Sequence, residues 1–136
     1  VVADNNPGIL DFQDAVEGPM TYDLVSLLKD CYISWPAERV RKWATDFYRE
    51  SPLSIRSDLS NEQFLRNFEL MGVQRHLKAA GIFARLNARD GKPAYLRHLP
   101  RTSDVLEHNL RHPALGALKT WFDRHLPYSL RDGAGS

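Results

Sequence analysis

The sequence predicts a mainly α-helical lobe with a β-hairpin at its N-terminal edge, and three observations carry that reading. Strand-like runs occur only at the start, Val1–Ala3 and Gly8–Phe12, separated by the turn cluster Asp4-Asn5-Asn6-Pro7. Beyond the Gly18-Pro19 break, apolar residues recur at helical spacing. Ser60-Asn61-Glu62-Gln63, with Gln63 three residues after Ser60, is a capping-box signature that opens the longest such run.

Taken in order, the first helix is expected to be capped by Thr21 and to run to about Ile33, with Leu24, Leu27, Leu28 and Cys31 on one face. Ser34 and Pro36 mark a fresh start, because proline suits a first helical turn. Val40, Trp43, Ala44 and Phe47 give that second helix its apolar spacing, and it should stop near Ser51-Pro52. Residues 52–59 read as a polar connection. The helix opened by Ser60 should reach about Ala88. Pro93 begins a short turn or helix through Leu99, Pro100 interrupts it, and Ser103–Arg111 and Pro113–Leu126 read as two further helices. Residues 1–18 thus form one segment with the hairpin, 19–131 a helical subdomain, and 132–136 a frayed tail.

Composition narrows the class of protein. A chain of 136 residues with 43% apolar content suits one lobe with a real core. Lys and Arg number 18 against 17 Asp and Glu, so a net charge of +1 argues against a nucleic-acid binder or an acidic-membrane binder. The single cysteine, Cys31, excludes an internal disulfide framework and a cysteine-based zinc site. It fits a reducing, cytoplasmic setting. No apolar stretch is long enough to span a membrane.

Residues 9–24, Ile-Leu-Asp-Phe-Gln-Asp-Ala-Val-Glu-Gly-Pro-Met-Thr-Tyr-Asp-Leu, hold the chemistry. By pattern alone Asp11 is a strand-end carboxylate, open to water or to a metal. The ordered run of Ile-Leu-Asp-Phe, Asp14, Gly-Pro and Tyr22-Asp23-Leu24 resembles the metal-binding segment of the aminoglycoside phosphotransferase and choline kinase superfamily, relatives of the protein kinases. That resemblance implies a protein-kinase-like fold, ATP as phosphoryl donor, and Asp11 as a ligand of Mg²⁺, a hard cation that takes one or two carboxylates beside phosphate oxygens. It makes Asp14 a weaker candidate for a second metal position or a substrate hydroxyl. Asp23 it implies to be a structural brace, accepting backbone N–H groups of a catalytic loop. The residues alone also allow Asp23 to sit in a first helical turn, where the helix dipole favours a carboxylate. The resemblance places a His-x-Asp-x-x-x-x-Asn loop just before Val1. A C-terminal part of an enzyme is therefore expected, with no catalytic base in this chain, no activity on its own, and a missing N-terminal lobe as its natural partner. The uncovered surface near residues 1–23 should favour self-association.

Phe68-Glu-Leu-Met-Gly-Val-Gln-Arg-His-Leu-Lys-Ala-Ala-Gly-Ile-Phe-Ala-Arg-Leu86, Arg89-Asp-Gly-Lys92, Tyr95-Leu96 and Leu99-Pro-Arg101 sharpen the match. Together they resemble bacterial cell-wall recycling kinases, which phosphorylate N-acetylmuramate and N-acetylglucosamine at the anomeric hydroxyl. Read physically, the same helix puts Gln74, Lys78, Gly81, Arg85 and Arg89 in one narrow sector at about 100° per residue and surrounds them with apolar positions. A solvated stripe is the plain reading of that sector and an anion site the sharper one. Arg75 and His76 project among apolar neighbours. Arg75 is expected to pair with a carboxylate, Asp11, Asp14, Asp23 or Asp30, because a buried charge needs a partner. His76 reads as a satisfied core histidine or as a substrate-facing group. With Asp14 and Gln74, these two complete the candidate substrate-binding set.

The remaining candidates read as ordinary structure: His108 and His112 as surface residues despite their spacing, Cys31 as packing, and Trp35, Trp43 and Trp121 as core, with an aromatic stacking role also open to Trp35. The expected function is ATP-dependent transfer of a phosphoryl group to a hydroxyl of a peptidoglycan-derived amino sugar. A different small acceptor, such as an aminoglycoside or a choline-like cation, is the alternative within the superfamily. A helical interaction domain without catalysis is the alternative outside it.

Overall fold

A computed structural model describes residues 16–52 and 59–127, which are mainly helical, with no strand among the described residues. The predicted hairpin, Asp11, Asp14, most of the 52–59 connection and the tail lie outside the described residues. Among the described residues five α-helices follow one another: α1 (Thr21–Leu28), α2 (Ala37–Glu50), α3 (Asn61–Asp90), α4 (Leu99–Asn109) and α5 (Gly116–His125). Single 3₁₀ segments, Pro93–His98 and Pro113–Leu115, lead into α4 and α5.

The longest helix is also the best punctuated. Both bonds of the capping box form: Gln63 N donates to Ser60 Oγ at 3.1 Å, and Ser60 N donates to Gln63 Oε1 at 2.8 Å. At the other end Gly91 adopts a left-handed conformation, φ 62°, and its N–H and that of Lys92 return to the carbonyls of Asn87 and Leu86. Thirty residues at about 1.5 Å each make a rod about 45 Å long. All the larger neighbours, α1, α2, α4 and the Pro93–His98 turn, pack on it.

Three boundaries differ from the sequence reading. Helix α1 stops at Leu28 and not near Ile33, because the Asp30 carboxylate accepts from Tyr32 N at 2.7 Å and closes a side-chain turn that competes with the helix. Thr21 lies inside α1, buried in its first turn, and the capping position falls on Met20. Pro100 occupies the first turn of α4, where its missing N–H costs nothing, so that helix begins at Leu99 instead of Ser103. The end of α2 at Ser51 agrees with expectation.

Two apolar clusters sit along α3. One joins Val25 and Leu28 of α1, Ala44 of α2, and Phe64 and Phe68 of α3. Phe47 stacks on Phe64 with ring centres 6.3 Å apart, and Tyr48 lies tilted against it at 5.2 Å. The second joins Val73, Leu106, Leu110 and Phe122. The buried face of α1 carries Thr21, Val25 and Leu28, whereas Leu27, expected inside, is 69% exposed. Cys31 lies beyond the helix. Trp35 and Trp121 are substantially exposed, contrary to their reading as core, while Trp43 packs partly buried on the first cluster. Helix α3 is less enclosed than its composition suggested, since Ile82 is 43% exposed.

Phe64 is fully enclosed and stacked by two rings, so Phe64→Ala should cost about 3–5 kcal/mol of folding stability. Ile82→Ala should stay within about 1 kcal/mol. Urea denaturation of both variants measures the contrast.

Candidate functional site

Helix α1 follows the segment bearing Asp11 and Asp14, and two contacts fasten it antiparallel to α3. Near its start, Arg75 Nη1 donates to the Tyr22 hydroxyl at 2.6 Å, and the guanidinium lies 4.7 Å from the centre of the Tyr22 ring. At its end, Lys29 forms an ion pair with Glu69 and sits 4.8 Å from the centre of the Phe68 ring. The carboxylate partner expected for Arg75 is not found among the described residues. Arg75 is half-buried, so a phenol oxygen and a π face suffice where a fully buried charge would need an anion. Asp23 is exposed in the first turn of α1, where the helix dipole favours it, and no described residue hydrogen-bonds its carboxylate.

The other candidates on α3 do not converge on one point. Gln74 is exposed and lines a shallow hollow of about 390 Å³ with Pro19, Met20, Thr21 and Asn67, beside the segment that leads into α1. The whole stripe of Gln74, Lys78, Gly81, Arg85 and Arg89 is exposed, which matches its reading as a solvated face. His76 turns the other way. It is 3% exposed, and its Nδ1 lies 2.7 Å from the Gly72 carbonyl oxygen. A carbonyl only accepts, so Nδ1 carries the proton and Nε2 is left as an acceptor. Burial lowers the imidazole pKa from its ordinary 6.5, the Gly72 hydrogen bond partly opposes this, and the positive charges of Lys29, Arg101 and Arg75 lower it further. His76 is therefore neutral near pH 7.

A second hollow, of about 230 Å³, is lined from α1, α2, α3 and α4 beside the first apolar cluster. His76, Lys29, Asp30, Trp35, Arg101 and Asn109 are among its walls. Asn109 is 8% exposed, and its Nδ2 is buried with no hydrogen-bond partner. Sequence reasoning missed Lys29 and Asn109, and it noted Arg101 only as part of the Leu99-Pro-Arg101 resemblance, with no site role. Their one signal is a charged or amide residue inside an apolar helical repeat, the pattern that had drawn attention to Arg75 and His76.

Nothing among the described residues gathers three metal-ligating side chains. His112 accepts from Ala114 N at 3.1 Å and caps a turn, and His108 is exposed, so their spacing has a structural use. Burial pushes the Cys31 thiol up, with a Thr102 hydrogen bond opposing it, which disfavours a thiolate nucleophile. No described helix is long and apolar enough to cross a membrane.

Residues 1–56, which hold Asp11, Asp14 and Asp23, match the phosphotransferase enzyme family. The similar proteins include the N-acetylmuramate/N-acetylglucosamine kinase of Pseudomonas putida, 54% identical over 97 residues, which is 71% of this chain and 29% of that one. The kinase of the same name from Pseudomonas aeruginosa is 48% identical over 120 residues, 87% of this chain and 36% of its own length. That from Caulobacter vibrioides is 40% identical over 124 residues, 91% of this chain and 33% of its own length. The chain is homologous to part of these kinases. It spans about a third of the length of the curated relatives it matches. No solved structure matches it.

The contacts of Arg75 predict a milder penalty than a buried ion pair would carry. Arg75→Ala should cost about 1–2 kcal/mol, and Tyr22→Phe, which keeps the ring and loses the hydroxyl, about 1 kcal/mol. A double-mutant cycle with both changes isolates the pair. His76 makes stability depend on pH. Its folded pKa is lowered, so below 6.5 the unfolded chain binds more protons and stability falls as pH drops towards the folded pKa. Above 6.5 that contribution is fully present. Urea midpoints compared between about pH 7 and about pH 5 should show this slope in the parent protein and a weaker one in His76→Asn.

Proposed function

We propose that the chain is the C-terminal lobe of an ATP-dependent kinase that phosphorylates a hydroxyl of N-acetylmuramate or N-acetylglucosamine in the cytoplasm. One observation carries this reading. Identity of 40–54% to kinases of that name extends over 97–124 residues, 71–91% of the chain. Helical architecture by itself would not require such identity.

In this reading Asp11 would hold Mg²⁺, and Asp14 would serve a second metal position or a substrate hydroxyl. A carboxylate donor set suits that ion. An ion held there would supply charge neutralisation at the phosphates. The chain's own helices do the positioning. Arg75 on Tyr22 and Lys29 on Glu69 hold α1 at both ends, so the segment that leads from Asp11 into α1 enters from a fixed point on α3. Asp23, exposed in the first turn of α1, would accept N–H groups from a catalytic loop supplied by the rest of the protein. The catalytic base lies on that loop, and this chain by itself is inactive.

Asp11→Asn in the full-length protein should abolish turnover of N-acetylglucosamine with ATP and Mg²⁺ while leaving the melting temperature close to that of the parent. Removing the charge of one metal ligand at a phosphoryl-transfer site costs several kcal/mol of transition-state stabilisation. Near-normal turnover would overturn the metal assignment. Wild-type protein that phosphorylates neither amino sugar would overturn the kinase reading.

A further inference from the structure

We propose that the hollow beside the first apolar cluster is the sugar subsite of this kinase, and that Arg101 reads a carboxylate carried by the sugar. The proposal rests on the amino-sugar kinase reading above and adds to it a place and a residue for specificity.

The cations around His76 are not equivalent. Lys29 is engaged by Glu69, and Arg75 by the Tyr22 hydroxyl and ring. Arg101, half-buried in α4 and lining the hollow, donates from Nη1 to the Tyr32 carbonyl at 3.1 Å. No carboxylate pairs with it among the described residues. A guanidinium has five N–H donors in a fork that matches a carboxylate, and the Tyr32 bond uses one of them. That bond is exposed, so the remaining donors face solvent at the rim of the hollow, where a guanidinium can take a carboxylate as a forked pair.

The other walls suit the rest of such a ligand. Neutral His76 offers Nε2 as an acceptor, since Nδ1–H is committed to Gly72. Asn109 has an amide nitrogen without a partner, and turning it towards a ligand forfeits no hydrogen bond. Donor and acceptor of this kind fit the hydroxyl and acetamido groups of an amino sugar. Trp35, 39% exposed and set edge-on to Trp43 at 5.3 Å, gives the hollow an aromatic wall for the C–H face of a sugar ring.

N-acetylmuramate is N-acetylglucosamine with a lactyl ether ending in a carboxylate, so the two sugars differ in the one group Arg101 is placed to bind. Steady-state kinetics of the full-length enzyme on both sugars tests this, with Arg101→Gln and Arg101→Lys as variants. Arg101→Gln should raise KM for N-acetylmuramate by about tenfold or more and leave that for N-acetylglucosamine within about twofold. Arg101→Lys, which keeps the charge but loses the fork, should recover part of the loss. A loss equal for both sugars, whether from misfolding of the Tyr32 turn or from a role outside recognition, overturns the proposal unless Arg101→Lys restores N-acetylmuramate selectively. No change with either sugar overturns it outright. Wild-type enzyme inactive on both sugars is the separate result that removes the kinase reading, and this subsite with it.

Discussion

Lys29 is the residue around which the middle of the protein is arranged. Its side chain is 13% exposed, and a lysine so enclosed needs an anion and a lining that tolerates its stem. Glu69 provides the anion, and the ring of Phe68 provides a favourable face for the ammonium. The stem crosses α3 at Gly72, where an added Cβ would come within 3.1 Å of Lys29 Cδ. The absent side chain is what lets α1 approach here. The same glycine's carbonyl accepts from His76 one turn later. Three adjacent needs, a buried cation, a close helix approach and a histidine proton, are met within one turn of α3.

That arrangement divides the interior. On one side lie Val25, Leu28, Ala44, Phe64 and Phe68, and on the other Val73, Leu106, Leu110 and Phe122. Beside the first runs a polar seam containing Lys29, Glu69 and His76, with Arg101 and Asn109 of α4 closing it. Asp30 ends α1 early, and the connection to α2 that follows brings Ile33, Ser34 and Trp35 to the wall of the hollow. Had the helix continued to Ile33, the loop would leave from a different point and Trp35 would not stand at the hollow's wall. A single side-chain turn thus shapes both the helix boundary and the hollow.

What was legible in the sequence follows from range. The capping box of α3 and its glycine stop are local signals, and both form, because their partners lie within three or four residues. The exposed stripe of Gln74, Lys78, Arg85 and Arg89 was legible for the same reason, since helical geometry alone fixes it. Leu27 and Trp121 misled because hydrophobicity says that a residue tolerates burial, whereas the direction of each helix decides which ones obtain it. Arg75 was rightly singled out as a charge among apolar positions, but its partner, Tyr22, stands 53 residues away and is not a carboxylate. Lys29, Arg101 and Asn109 come together only through tertiary packing of α1, α3 and α4, which no local pattern encodes. For Asp11 and Asp14 the sequence remains the source of their assignment.

The seam is costly as a source of stability, and that bears on its purpose. An ion pair such as Lys29–Glu69 roughly offsets the desolvation it requires, and apolar residues of similar volume would commonly serve a core as well. An amide nitrogen buried without a partner, as at Asn109, costs about 1–3 kcal/mol. A neutral histidine adds a loss of stability in acid. None of these is what continuous packing of the two clusters would call for, and together they lie around one hollow. A ligand with hydroxyl, amide and carboxylate groups would satisfy the donors at Asn109 and Arg101 and the acceptor at His76 at the same time, turning unmet polar groups into binding energy. The polar groups around the hollow thus supply nothing that the stability of the fold itself requires.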